Sequence, residues 1–499
     1  MLQLCLPSFR LLAALALLHP IAMPEARANT SGSGRDTTLV KAIDDAINVP
    51  GLLTGFHGIL IQSLADQSVF YEVNADQVFL PASNNKLLTA GAALGLLGKE
   101  FVYRTRLYRT GPISRSGILT GNLILRGDGD PLLMPDDLKR LAKRARLAGI
   151  RLVKGSVGYD DSRFDPQRLG EGWSWDDEPF YYSAQVSALN LNENVVSVQP
   201  WPGKRPGDPV RVAVGPIPDY ITLINRARTG APKTRGSLVI TRERGKNVVI
   251  LEGSLPIDAD AKSNAPVGVT IENPGRYAAT ALKYYLQKEG IRVSRSEILA
   301  IRARPRADAL VAEHISAPMP ELLRRLNKPS DNLVAECLLK TVGTTSTHTE
   351  EPASTARGAK AATEWFLRIG LDTDRVRLAD GSGLSRQNFV SPRNLVRLLT
   401  YFHTDQHGQI FRDSLPIAGA DGTLRRRMKG TAAEKNCLAK TGTLSNMSSL
   451  SGYVTTKDGE PLVFSILMNN YLTSGVVARA AQDKIVTLLA DYSRKGTSP

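Results

Sequence analysis

One stretch constrains this chain more than any other: Pro81-Ala82-Ser83-Asn84-Asn85-Lys86, running straight into Leu87-Leu88-Thr89-Ala90-Gly91-Ala92-Ala93-Leu94-Gly95-Leu96-Leu97. The run after Lys86 has no polar face, so it predicts a helix buried on every side. Such a helix needs other elements packed all around it. Pro81 and Ala82 end the extended segment before it. That puts Ser83 at the helix N-terminus, with Lys86 three residues on and on the same side. A helix start offers free backbone N–H groups and a positive dipole end, both of which favour a developing oxyanion. A lysine one turn away takes the serine proton when burial or another cation lowers its pKa. Read alone, the same residues also fit an N-cap serine with a lysine nearby, which is the commoner case. The chain contains no other Ser-x-x-Lys.

The N-terminus reads as a secretory signal over residues 1–28. Arg10 supplies the positive region, residues 11–18 a short apolar core, and Ala26-Arg27-Ala28 a small-x-small cleavage site, so the mature chain starts at Asn29. The apolar run is too short to span a bilayer, and nothing later is long enough. Pro20 and Pro24 argue against an uncleaved anchor. Export leaves Cys337 and Cys437. Two cysteines build no disulfide framework; a pair remains open beside two separate buried thiols, the commoner arrangement. The formal charge of +15 suits contact with an anionic polymer such as the cell envelope, or simply solubility. No nucleic-acid motif is present.

The length of 499 residues suggests two to four domains at roughly 150 residues each. Thr37 and Thr38 are candidate caps for a helix with Leu39, Ile43 and Ile47 on its apolar face. Residues 58–64 and 69–73 read as a hairpin, residues 118–126 as one strand, and Gly127-Asp128-Gly129-Asp130-Pro131 as a tight turn without EF-hand spacing. Helices over 136–148 and 277–289 are each followed by Gly-Ile-Arg and a short strand. Between these units, residues 194–266 are rich in Val, Gly and Pro in short alternating runs, a small β-rich insert. Helices return over 321–326, 333–339 and 355–369. Another opens at Ser391-Pro392, with a cap and Pro at the first helical position. A strand begins at Lys440, a hairpin turns about Lys457-Asp458-Gly459-Glu460, and a terminal helix carries Ile485, Leu488, Leu489 and Tyr492.

Three motifs stand in order: Ser83-x-x-Lys86, Ser330-x-Asn332 and Lys440-Thr441-Gly442. Singly the last two are weak, but the ordered triple is the motif set of penicillin-binding proteins and serine β-lactamases. Lys86 and Ser330 are 244 positions apart. With that insertion the chain resembles the low-molecular-mass class C penicillin-binding proteins, the D-alanyl-D-alanine carboxypeptidase/endopeptidase family. Asp380-Gly381-Ser382-Gly383-Leu384-Ser385, Gly419-Ala420-Asp421-Gly422-Thr423-Leu424 and Gly172-Trp173-Ser174-Trp175-Asp176-Asp177 support the resemblance. It implies an α/β (α+β) fold: a β-lactamase/transpeptidase-like domain (36–101 and 306–495), an inserted domain (102–192 and 267–305) and, nested within that, a β-rich domain (193–266).

The roles follow from chemistry and resemblance together. Ser83 is the nucleophile. Lys86 is its general base, helped by the charge of Lys440, and Ser330 relays a proton to the leaving amine. Asn332 holds the substrate amide and the Lys86 head group. Lys440, Thr441 and Thr443, with Gly442 between them, bind the terminal carboxylate. The N–H groups of Ser83 and Thr443 are the candidate oxyanion hole. Asp160, in preference to Asp161, resembles a family aspartate that approaches the site from the inserted domain. Trp173 and Trp175 read as core aromatics or as substrate contacts. The resemblance implies a periplasmic enzyme acting on peptidoglycan stem peptides and acylated by β-lactams, without cofactor or metal. Carboxypeptidase and endopeptidase action, and the oligomeric state, stay open.

A serine β-lactamase would share the triple. However, Glu364-Trp365-Phe366-Leu367-Arg368, the faint echo of a deacylating loop, sits in an amphipathic helix, with Arg368 where Asn is expected. A catalytically silent penicillin-sensing or wall-binding protein is the alternative of another class, and the intact Ser83/Lys86 pair argues against it. There is no G-x-S-x-G or H-E-x-x-H, and His57, His314, His348, His403 and His407 are scattered.

Overall fold

The computed structural model describes residues 36–303, 308–345 and 351–494. The predicted signal segment and His348 lie outside the described residues.

The run after Lys86 forms the helix Asn85–Leu97, preceded by a 3₁₀ turn over Ala82–Asn84 that holds Ser83. Its residues from Asn85 to Leu94 are all buried, as the missing polar face requires. Leu87, Leu88 and Leu94 join Leu322, Leu338, Phe366, Leu398 and Phe402 in one apolar cluster. Each such side chain contributes roughly 1.5–3 kcal/mol by leaving water. This packs the helix that carries Lys86, and the turn that carries Ser83, against the apolar core.

Beside this helix lies a five-stranded antiparallel sheet in the order Val69–Val73, Phe56–Ser63, Pro461–Asn469, Met447–Thr455, Leu438–Leu444. The two expected hairpins are its consecutive pairs. Pro461–Asn469 is buried at every position after the first, because helices cover both faces. Thr37–Ile47 and Gly475–Asp491 pack on one face, and the helix Asn85–Leu97 with its neighbours packs on the other. The cap of Thr37–Ile47 is Asp36, which accepts from the N–H groups of Thr38 and Leu39, and not either threonine. Ser391 caps Pro392–Thr404 as expected.

Between the first and second motifs the chain builds other sheets. Residues 118–126 do not form one strand. Ile118–Leu119 and Leu123–Gly127 belong to different sheets, because Gly121 breaks the run. The two Gly-Ile-Arg units lie side by side, with Leu152–Val153 and Arg292–Val293 paired in parallel. Two expected boundaries move. Ala309–Ile315 pairs with Arg104–Arg109, so the chain rejoins the first sheet's layer after 315 and not at 306. Val267–Thr270 pairs with Val195–Trp201, so the β-rich segment extends past 266. Val198, Val249 and Leu251 of that segment share one apolar cluster with Leu107, Leu138 and Leu282. Cys337 and Cys437 are separate, buried and unpaired, and burial pushes the Cys437 thiol up to about 12. No helix among the described residues is long and apolar enough to cross a membrane.

Candidate active site

The three motifs converge on one cavity of about 470 Å³, lined by Ser83, Ser330, Asn332, Thr441, Gly442 and Thr443. Lys86 and Lys440 lie beneath its floor, and both are fully buried. Lys86 Nζ is 3.1 Å from Ser83 Oγ, 2.6 Å from Asn332 Oδ1 and 2.7 Å from the Ser382 carbonyl. Lys440 Nζ donates to Ser330 Oγ at 2.9 Å and to the Thr441 carbonyl at 2.9 Å. A buried ammonium costs several kcal/mol unless it is paired or neutralised. Burial accordingly lowers the Lys86 pKa to about 8, while the carboxylates of Asp380, Glu336 and Asp331 oppose the fall. Lys440 is pushed well below the ordinary lysine range by burial and by the charge of Lys86.

Each motif owes its geometry to a local device. Asp331 caps the helix Asn332–Val342 by accepting from Val334 N–H, which sets Asn332 in the first turn, facing Lys86. Ser330 takes φ +68, left-handed backbone for a residue with a Cβ, at a cost of order 1–3 kcal/mol. Its hydroxyl is thereby delivered to Lys440. Lys440-Thr441-Gly442 lies in the edge strand Leu438–Leu444. That strand meets the turn before the helix Asn85–Leu97, where Asn84 Nδ2 donates to the Lys440 carbonyl at 3.0 Å. Gly442 is required by close approach: a Cβ there would lie 2.1 Å from Ser449 Oγ and 2.9 Å from Ser83 N. Thr441 Oγ1 hydrogen-bonds Thr423 Oγ1 at 2.7 Å.

The Asp380–Ser385 segment supports Lys86 from behind. Asp380 accepts from the N–H groups of Gly383 and Ser385, and Glu336 from those of Gly381 and Ser382, which aims the Ser382 carbonyl at Lys86.

Asp160 does not join the site. Its carboxylate is buried in its own layer and accepts from Ser162 and from Ala303 N–H, 3.8 Å from Arg126. The aspartate on the cavity wall is Asp177, beside Tyr181 and Tyr182. Trp173 ties Asp380 through Nε1 at 2.8 Å, while Trp175 is an exposed ring under Arg244 and no core aromatic. A second cavity of about 570 Å³, in the β-rich segment, is lined by Leu238, Ile240 and Leu255 together with Lys233, Asp258 and Ser263, and no residue of the three motifs lines it.

The model of the D-Ala-D-Ala carboxypeptidase 3 (S13) family matches residues 39–492. The chain belongs to the S13 family. A D-alanyl-D-alanine carboxypeptidase from an Actinomadura species is 37% identical over 482 residues, covering 94% of this chain and 87% of its own length. The D-alanyl-D-alanine carboxypeptidase DacB of Haemophilus influenzae is 29% identical, over 86% of this chain and 88% of its own. The crystal structure of penicillin binding protein 4 from H. influenzae is similar, with a TM-score of 0.79 at 27% identity, covering 90% of this chain and 99% of the other. The same protein complexed with a β-lactam gives 0.74 at 25% identity, over 91% and 99%. The chain is thus an S13 serine-type D-Ala-D-Ala carboxypeptidase with a mixed α/β fold.

Proposed function

We propose that Ser83 attacks the carbonyl carbon of the penultimate D-alanine of a peptidoglycan stem peptide. The single observation that carries this is the 3.1 Å contact between Ser83 Oγ and a fully buried Lys86. Lys86 takes the hydroxyl proton as the C–O bond forms. The N–H groups of Ser83 and Thr443 stabilise the oxyanion. As the C–N bond breaks, the leaving nitrogen takes the Ser330 hydroxyl proton and Lys440, 2.9 Å away, resupplies Ser330. Water then cleaves the Ser83 ester, its proton going to Lys440 while Lys86 returns the first proton to Ser83 Oγ.

Lys440 has a second part. Burial and the charge of Lys86 both lower its pKa. A substrate carboxylate arriving beside Lys440, Thr441 and Thr443 favours its charged form. A proton regained by Lys440 repels the one on Lys86, so the bound carboxylate arms the base. Asp177, the one acid among the described residues that line the cavity, takes the part expected of Asp160 and suits a cationic group on the stem peptide. Penicillin acylates Ser83 by the same route, and the enzyme works in the periplasm after loss of residues 1–28. Residues inserted between the first two motifs form the two nested domains.

Purified cross-linked muropeptides, with products read by mass, test the reaction. Loss of a terminal D-alanine marks carboxypeptidase action, and halved cross-linked dimers mark endopeptidase action. Neither change, with wall binding retained, would favour the silent alternative.

A further inference from the structure

Asn332 presents Oδ1 to Lys86 only while its amide nitrogen has an acceptor elsewhere. That acceptor is the Tyr182 carbonyl, 2.7 Å from Nδ2. Turned over, the amide would offer N–H groups to an ammonium. Tyr182 belongs to a loop that is anchored on the β-rich segment. Phe180 bridges Val269, and Thr270 N–H donates to the Pro179 carbonyl at 3.2 Å. Thr270 Oγ1 donates to the Glu178 carbonyl at 2.5 Å. Tyr182 Oη donates to Asp177 Oδ1 at 2.7 Å, which ties the two ends of the loop.

The strongest anchor is Arg242, whose side chain is 1% exposed. It donates to Glu178 Oε1 at 2.8 Å, to Glu272 Oε1 at 2.7 Å and to the Lys246 carbonyl at 2.8 Å. A planar guanidinium serves these three acceptors at once, and an ammonium does not span them. Arg242 lines no part of the catalytic cavity.

We infer that Arg242 is a positioning residue for acyl transfer: from the β-rich segment it fixes the 177–182 loop, whose Tyr182 carbonyl orients Asn332 toward Lys86. The inference rests on the Ser83 reading above. It gives the β-rich segment a task in the reaction.

The carboxylates of Asp380, Glu336 and Asp331 act on Lys86, and the charges of Lys86 and Lys440 act on one another. None lies in the loop, so a loosened loop acts on Lys86 through Asn332. An ammonium that loses Oδ1 loses a partner of its charged form and gives up its proton more readily.

The test is stopped-flow acylation by a fluorescent penicillin across pH, in the parent, Arg242→Lys, Thr270→Val and the double variant Arg242→Met with Glu178→Gln. The double variant removes both buried charges together, and Glu272 keeps Gln185 as a partner at 2.6 Å. In the double variant the maximal acylation rate is expected to fall about tenfold or more, with little change in half-saturating penicillin, and the rise of rate with pH moves to lower pH. Arg242→Lys and Thr270→Val lose about threefold and shift the same way. Parent-like rates and pH profiles, in every variant that keeps the parent's unfolding midpoint, overturn the inference. The two single changes decide it if the double variant fails to fold. A parent that penicillin does not acylate would instead sink the Ser83 reading.

Discussion

Lys86 Nζ lies 3.1 Å from Ser83 Oγ at the bottom of a fold that leaves neither lysine of the site any contact with solvent. Burial holds Lys86 near a pKa of about 8, so it is mostly protonated at neutral pH and a free base above. Only the free base accepts the serine proton. The acylation rate constant at limiting penicillin should therefore rise about tenfold per pH unit below 8 and level off above it. Because Lys440 titrates in the same pocket, the midpoint belongs to the pair. A rate that falls between pH 7 and 9 would contradict the assignment of the base.

Gly442 sits where the third motif touches the first. Alanine there would push a methyl group into Ser449 Oγ, the Pro81 carbonyl and Ser83 N. The strand must retreat from the nucleophile turn and take Thr443 with it. Gly442→Ala is expected to slow acylation by about 10²-fold or more, the loss that follows from misplacing one oxyanion donor. The stability cost is about 1–3 kcal/mol, as for other overpacked positions. Stopped-flow labelling and a urea unfolding curve check the two numbers separately.

Asp160 makes the opposite case. Its carboxylate serves Ser162 and Ala303 inside one layer, away from the cavity. Asp160→Ala leaves those donors unpaired and should cost about 1–3 kcal/mol of stability. At 25 °C the folded variant should label with penicillin within about twofold of the parent. A stable Asp160→Ala protein that has lost acylation would return Asp160 to the site.

The elements that the sequence made legible are those with local signals. The apolar run after Lys86, the Ser391-Pro392 start and the Lys457–Glu460 turn each declare themselves within a few residues. The three motifs declared the cavity because their chemistry has few alternatives in that order. What was misread depends on distant partners. The boundary expected at 306 falls just before the strand Ala309–Ile315, and only its pairing with Arg104–Arg109 says which sheet that strand joins. Asp177 closes the Gly172–Asp177 stretch that supports the resemblance, but it sits among 3₁₀ turns without the periodicity that would say which way its side chain faces. Arg242 stands in an alternating strand that predicts an exposed side chain as readily as a buried one; its burial comes from Glu178 and Glu272. Asp36 outcompeted Thr37 and Thr38 as the cap because it lies one residue earlier, in extended backbone.

The most direct measurement is covalent labelling by fluorescent penicillin of the parent and of Ser83→Ala, with mass spectrometry of the modified peptide. The parent should gain one penicilloyl group on the peptide containing Ser83, and the alanine variant should gain none while keeping the parent's unfolding midpoint. Undiminished labelling of Ser83→Ala, or a group found on another residue, would contradict the account.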